Sequence, residues 1–266
     1  GTGTSYTDGQ SITITADMKL YAIWEDPSFV VTLEAPDATA GAAEHGWAWD
    51  NSTKKYTKTF NGAVAIGDLP TPTRTGYRFD GWFTATTAGT QIDETTTVTG
   101  AITYHAQWTE KQTITINADA QTKTYNAAAQ AFEVTPTPTG VAGFTVTYNQ
   151  SGSTVTPKNV GTYDVTITRA EDNNYLAFSQ TINNGLVINA KTLTVDGLTA
   201  TDRPYAAGNT TVALTGGTLV GVEAADASNV TATMPTEGTI ADANVGTDKP
   251  VTIAPIALAG AAAGNY

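Results

Sequence analysis

Two tryptophans, Trp24 and Trp108, each close an Ala-x-Trp run and stand 84 positions apart. Ahead of them Gly3-Thr4 is echoed by Gly89-Thr90, so the second copy is two residues shorter there. Matched punctuation on either side of strand-like runs marks an internal repeat. A second set of echoes follows. Asn159-Val-Gly-Thr162 returns as Asn244-Val-Gly-Thr247, Asn174-Tyr175 as Asn265-Tyr266, and Tyr125 as Tyr205. A period near 80 residues limits each core to a modest size. Such a chain is expected to fold as small units in a row, not around one interior.

The units are expected to be mainly β. Hydrophobic residues make up 40% of the 266 and charged ones 14%, glycine and proline punctuate throughout, and no long 3.6-residue stripe appears. In Gly76-Tyr77-Arg78-Phe79-Asp80-Gly81-Trp82-Phe83, strand alternation puts Tyr77, Phe79 and Phe83 on one face, with Asp80 and Trp82 on the other. Gly81 marks a bulge or a close backbone approach. Strands are expected at 11–15, 19–24, 29–33, 47–49, 55–60, 113–117, 122–126, 131–134, 144–148 and 163–168. A turn is expected at Asp8-Gly9 and a hairpin at Asn61-Gly62. Pro70 and Pro72 make 68–75 an extended connection, and Pro136 and Pro138 lie in a loop. The Ala/Gly-rich stretch 36–46 is the one place where a short helix is allowed. After Asn174-Tyr175 more strand material follows, whereas the second copy stops at Tyr266. The last module is therefore expected either to lack its final strand, leaving a pairing vacancy, or to complete its sheet without one.

The net charge of -12 and the scattered 13 lysines and arginines exclude a phosphate-binding stripe, and hence nucleic acid as partner. Acidity of this kind serves solubility. The absence of cysteine removes a disulfide framework and thiolate chemistry. A cysteine-free, threonine-rich β chain fits a bacterial exported protein better than a eukaryotic extracellular one. The longest apolar run, 254–264, is too short to span a bilayer. No signal peptide opens the sequence, and the chain starts inside a repeat, as an excised piece would.

Leu69-Pro-Thr-Pro-Thr-Arg-Thr-Gly-Tyr-Arg-Phe-Asp-Gly-Trp82, with Ala106-Gln-Trp108, resembles the Listeria–Bacteroides repeat, the B-repeat of internalin-type surface proteins. The resemblance covers about 29–110 and, by its tail, 3–24. It implies a β-grasp-like module repeated on bacterial surface proteins, with no catalytic set to carry over. Tyr125-Asn126, Asn159-Val-Gly-Thr-Tyr163 and Asn174-Tyr175 resemble the MBG domain of large bacterial adhesins. Asp202-Arg-Pro-Tyr205, Asn244-Val-Gly-Thr247 and Gly264-Asn-Tyr266 resemble the YDG domain, with Tyr205-Ala-Ala-Gly208 in place of Tyr-Asp-Gly. The expected organisation is half a B-repeat over 1–25, a β-grasp-like B-repeat over 26–110, an MBG-like module over 111–190 and a YDG-like module over 191–266. The last two are expected to be β-grasp- or sandwich-like, and the last is a candidate for truncation at its final strand. Short linkers at 25–28 and 109–112 favour an elongated tandem array.

Reactive constellations are sparse. The two histidines, His45 and His105, lie 60 positions apart with no nucleophile elbow beside either, so no catalytic set is expected. Glu171-Asp-Asn-Asn174 could offer oxygens to Ca²⁺ but lacks a calcium-loop spacing, and an Asn-capped acidic turn is the plainer reading. Lys123 and Lys158 are present for a Lys–Asn isopeptide cross-link, without a recognisable motif for one. Trp47 and Trp49 share a strand face in alternation, and with Asp50 and Asn51 they form the one candidate ligand-binding patch, a stacking platform for a sugar ring. The plainer reading is that both indoles are core, as Tyr77, Phe79, Trp82, Phe83 and Trp108 are expected to be.

The sequence thus points to a non-catalytic stalk or spacer of an extracellular bacterial protein, at the cell surface or secreted, that projects a distal binding domain. The alternative is a module that itself engages host glycan or protein, through a sheet edge or the Trp47–Trp49 patch. The expected partner is a surface protein or glycan of a host or neighbouring cell, reached through the parent protein. No cofactor, metal, membrane insertion or self-association is expected.

Overall fold

The structure is a computed structural model that describes residues 9–14, 16, 17, 19 and 26–266. Strands account for 44% of it and helix for 2%, so the mainly-β expectation holds. The half-module expected over 1–25 lies largely outside the described residues, and 11–14 carries no regular structure. The chain divides into two compact units, Gly1–Glu110 and Lys111–Tyr266.

In the first unit β1 (Ser28–Glu34), β2 (Ala48–Asp50), β3 (Lys55–Asn61), β5 (Tyr77–Phe83), β6 (Gln91–Ile92) and β8 (Ile102–Glu110) form one sheet, while β4 (Val64–Ala65) and β7 (Thr97–Val98) pair apart. The sheet order is β2-β3-β1-β8-β5-β6, with β1 and β8 parallel at its centre. That central parallel pair is the β-grasp feature. Among the described residues no helix packs on it: 36–46 is built of turns and isolated bridges, Ala40 to Thr73 and Glu44 to Trp47. The Asn61-Gly62 signal does not make a hairpin. Gly62 turns the chain out of the sheet, and β4 pairs with β7 instead of β3. The proline segment 68–75 is the expected irregular connection.

β5 carries a correction. Its pairing with β8 slips between Phe79 and Gly81, so Asp80 is the extra residue of a bulge. The slip resets the alternation. Phe79 and Trp82 now share a face, their rings 5.4 Å apart edge to face, and Phe83 is turned to the other. Trp82 is 1% exposed among Tyr56, Leu33 and Val31, while Tyr77, Phe79, Phe83 and Trp108 are only half-buried. Gly81 holds φ +129°, and a Cβ there would collide with the Gln91 side chain. Gly81→Ala is expected to cost about 1–3 kcal/mol, measured as a lowered melting point of the first unit; an unchanged one would remove the bulge from this account.

The second unit begins with β9 (Thr115–Ile116), β10 (Gln121–Thr124), β11 (Pro136–Thr137), β12 (Thr145–Gln150), β13 (Ser153–Val155), β14 (Gly161–Arg169) and β15 (Phe178–Asn189). A five-stranded sheet runs β10-β15-β14-β12-β13, with β15 antiparallel to β14 and parallel to β10. Val165, Ile167, Leu186 and Ile188 from the two long strands form the floor of its core, each at most 1% exposed. Residues 131–134 are not a strand. The short pairing falls instead on Pro136–Thr137 with β9, where the missing N–H of Pro136 costs one bond of a two-residue ladder.

The remaining strands are β16 (Thr194–Ala200), β17 (Thr211–Val220), β18 (Thr231–Ala232), β19 (Glu237–Ile240), β20 (Val251–Thr252) and β21 (Leu258–Ala259). One sheet runs β16-β17-β19-β20, and β18 pairs with β21 alone. Two single 3-10 turns, Ala224–Asp226 and Ala263–Asn265, flank β18 and follow β21.

Candidate functional site

The Trp47–Asn51 patch is not a two-indole platform. Trp47 precedes β2, is 1% exposed, donates from Nε1 to the Asp68 carbonyl at 3.0 Å and meets the Phe60 ring at 6.0 Å. It is core. Trp49 is half-buried, tilted on Tyr56 at 4.5 Å, with Lys54 Nζ 6.0 Å from its ring. Its ring also lies over Gly41, where a Cβ would come within 2.8 Å of Cε2. Asp50 accepts from Ser52 N at 2.8 Å, Ser52 Oγ at 2.6 Å and Thr53 Oγ1 at 2.8 Å, and these bonds hold its carboxyl down at about 2. Asn51 Oδ1 accepts from Lys54 Nζ at 2.8 Å. The acidic and amide groups thus close the turn between β2 and β3. They do not converge with Trp47.

The other candidate groups are likewise engaged. His45 Nδ1 lies 3.8 Å from Asp68, both outside the strands, and His105 Nδ1 on β8 lies 3.5 Å from Glu34 on β1, so the two rings have separate partners. Asp172 accepts from Asn174 N at 2.8 Å and Tyr175 N at 2.9 Å and pairs with Arg169, so this acidic turn is capped by Asp172 and not by an Asn. Lys123 forms an ion pair with Glu133 at 3.0 Å. Among the described residues no three His, Cys, Asp or Glu side chains gather as a metal site would require.

The densest polar cluster lies where the two halves of the second unit meet. Asp226, 7% exposed at the end of its 3-10 turn, accepts on Oδ2 from Tyr125 Oη and from Tyr266 Oη, each at 2.7 Å. The two phenol rings meet edge to face at 5.3 Å. Tyr266 Oη also accepts from Glu223 N at 3.1 Å. Asn265 Oδ1 accepts from Val160 N at 2.9 Å, and its amide donates to Asn159 Oδ1 at 3.3 Å. Lys191 Nζ reaches Glu223 at 2.5 Å. Bonds from Tyr125 and then from Tyr266 hold the Asp226 carboxyl below its ordinary range. Burial, then the bond to Asp226, pushes the Tyr125 phenol up to about 12. This cluster was not anticipated. Its only sequence signal is that Tyr125, Asn159 and the Asn-Tyr pair belong to the echoed positions. Asp226 itself has no echo.

In this geometry the phenols and the carboxylate satisfy one another's hydrogen-bonding needs inside a packed junction. Comparison with known families places the pieces. Residues 46–107 match the Listeria-Bacteroides repeat domain, 112–192 the MBG domain and 189–266 the YDG domain. Residues 46–266 thus match these three families in tandem. No curated protein matches the chain. None of the three is a catalytic family, the three are typical of surface adhesin-like proteins, and the repeat and MBG domains are typical of extracellular or surface proteins. Tyr125 and Asn159 therefore belong to the MBG domain, while Asp226, Asn265 and Tyr266 belong to the YDG domain. The cluster is their seam.

Proposed function

We propose that this tandem is a non-catalytic spacer of a bacterial cell-surface or secreted adhesin, which holds a distal binding domain away from the envelope. The observation that carries the reading is the MBG–YDG seam: a buried carboxylate bonded by a phenol from each side, and an Asn-Tyr pair hooked into the neighbouring domain. A spacer transmits position only if consecutive domains do not swivel, and buried polar contacts fix one orientation where a bare linker leaves many. The burial of Trp47 supports the same reading, since it takes one of the two indoles away from any sugar-binding surface.

Small-angle scattering of the whole chain is the test. Three domains of about 30 Å each in line would give a maximum dimension of about 90 Å, against about 50 Å for one globule of the same length. A value near the lower figure overturns the proposal. So does saturable binding of a glycan in an array, which would instead support the chain as the binding module.

A further inference from the structure

Two phenols from different domains share one carboxylate oxygen. Tyr125, immediately after β10 of the MBG domain, and Tyr266, after the last 3-10 turn of the YDG domain, both donate to Oδ2 of Asp226 at 2.7 Å. Their hydroxyl oxygens therefore stand at most twice that distance apart, and the rings lie 5.3 Å apart at 80°. The carbons ortho to each hydroxyl flank that oxygen, so both rings present the same edge to one small volume. Rotation of either ring about its own long axis leaves its oxygen in place and swings an ortho carbon towards the other ring. Tyr56 is a contrast, since the rings it meets are those of Trp49 and Trp82. Tyr125 is 2% exposed, whereas Tyr266 is half-buried. One of the pair is shielded and the other is within reach of a small solute.

A phenol that loses an electron becomes a strong acid, and it is oxidised most readily when a base already holds its proton. The Asp226 carboxylate is placed to be that base for both rings, through charge-assisted hydrogen bonds. Its residual 7% exposure gives the protons a way out to water, one at a time. Glu223 N, which donates to Tyr266 Oη at 3.1 Å, keeps that oxygen in position as its proton leaves. The phenoxyl radicals that result are neutral, with their unpaired density on the oxygen and on the ortho and para carbons. The para carbon is taken up by the link to the main chain, which leaves the ortho carbons free to react. The chain has no cysteine, so a disulfide cannot join the two domains. A bond between these two rings is a covalent join that the seam can make without one.

We propose that Tyr125 and Tyr266 are an oxidative coupling site, at which a small one-electron oxidant turns the MBG–YDG seam into a covalent dityrosine link. Two equivalents of oxidant are reduced, each by one electron. The first takes its electron from the accessible Tyr266, whose radical then draws one from Tyr125 and reverts to the phenol. The second oxidises Tyr266 again, so that both rings are radicals at once. Their two protons leave through Asp226. The radicals pair in a bond between one ortho carbon of each ring. The hydrogen displaced from each of those carbons moves to its own ring's oxygen, which restores both hydroxyls. The product is lighter than the chain by two hydrogen atoms. The site rests on the seam geometry and not on the spacer reading, which scattering of the untreated chain tests without reference to it.

The test is a brief illumination of the dilute full chain with tris-bipyridyl ruthenium and persulfate, which generate a one-electron oxidant in place. The monomer should gain dityrosine fluorescence and lose the mass of two hydrogens, and peptide mapping should find Tyr125 joined to Tyr266. Tyr125→Phe, which keeps the ring and removes the hydroxyl, should lose the fluorescence. Tyr205→Phe, at a position 63% exposed, should keep it. The coupled chain should also unfold at a higher temperature than the untreated one, because the link restrains the unfolded state. No dityrosine in the monomer, dityrosine that joins other tyrosines, or fluorescence that survives in Tyr125→Phe would each overturn the proposal. So would an equal yield of the Tyr125–Tyr266 peptide from the chain in denaturant, since the folded seam would then have no part in it. Dityrosine that rises with protein concentration and links separate copies would overturn it as well.

Discussion

Trp82→Ala should abolish the cooperative melting of the first unit at temperatures where the second unit remains folded. The indole is 1% exposed and touches Tyr56 at 5.9 Å and Phe79 at 5.4 Å. Its Nε1 also donates to the Pro70 carbonyl at 2.8 Å, the bond that ties the proline connection to the sheet. Removing a buried tryptophan costs about 3–5 kcal/mol. A small module has only about 5–15 kcal/mol in all, so the loss is a large share of the total. Trp82→Phe, which keeps much of the volume and loses the N–H, should cost less and leave a measurable transition. Near-ultraviolet dichroism against temperature separates the two variants. An alanine variant that melts with the wild type would mean that the core is centred elsewhere.

The second large effect is expected at the seam. Tyr266→Ala removes a ring packed against the MBG core together with one of the two bonds to Asp226, at roughly 1–3 kcal/mol. The MBG and YDG domains should then unfold in two steps instead of one. Asp226→Asn, which keeps the shape and weakens the acceptor, should act in the same direction. The pH dependence follows from the two titrating groups. Asp226 is held below its ordinary value of 3.8, so its contribution is complete above that pH and is lost as acid carries the pH down through the folded-state value. Tyr125 is raised from 10.0 to about 12, so its contribution is complete below pH 10 and is lost as the pH climbs toward 12. Coupling between the domains should therefore hold from the weakly acidic range to pH 10 and fail at both ends. Calorimetry across that range checks it: coupling that Asp226→Asn leaves untouched, or that does not change with pH, would assign the seam to apolar contact alone.

Local signals carry the sequence reading as far as the β content and many of the strands. Trp82 and Gly81 were legible because a buried aromatic and a bulge glycine are properties of a few neighbouring residues. The phase of Phe79, Trp82 and Phe83 was not, since one inserted residue inverts an alternation that is otherwise reliable. Asn61-Gly62 turned the chain as such a pair should, but the strand that followed found its partner 34 positions further on, at Val98. Trp47 was ambiguous for a different reason: i and i+2 place two rings on one face only while both stay in the strand, and Trp47 lies just outside β2. The seam was invisible because Tyr125 and Asp226 are 101 positions apart, and nothing local to either names the other.

The parallel pairing of β1 with β8 decides how the first unit bears load. The chain enters along β1 and leaves along β8 in the same direction, with Val31 beside Ile102 and Glu34 beside His105. Tension between those two points slides one strand past the other, so the bonds that join them must yield together instead of peeling apart singly. Resistance to pulling is then set by the speed of that collective rupture, and the fold's equilibrium free energy does not determine it.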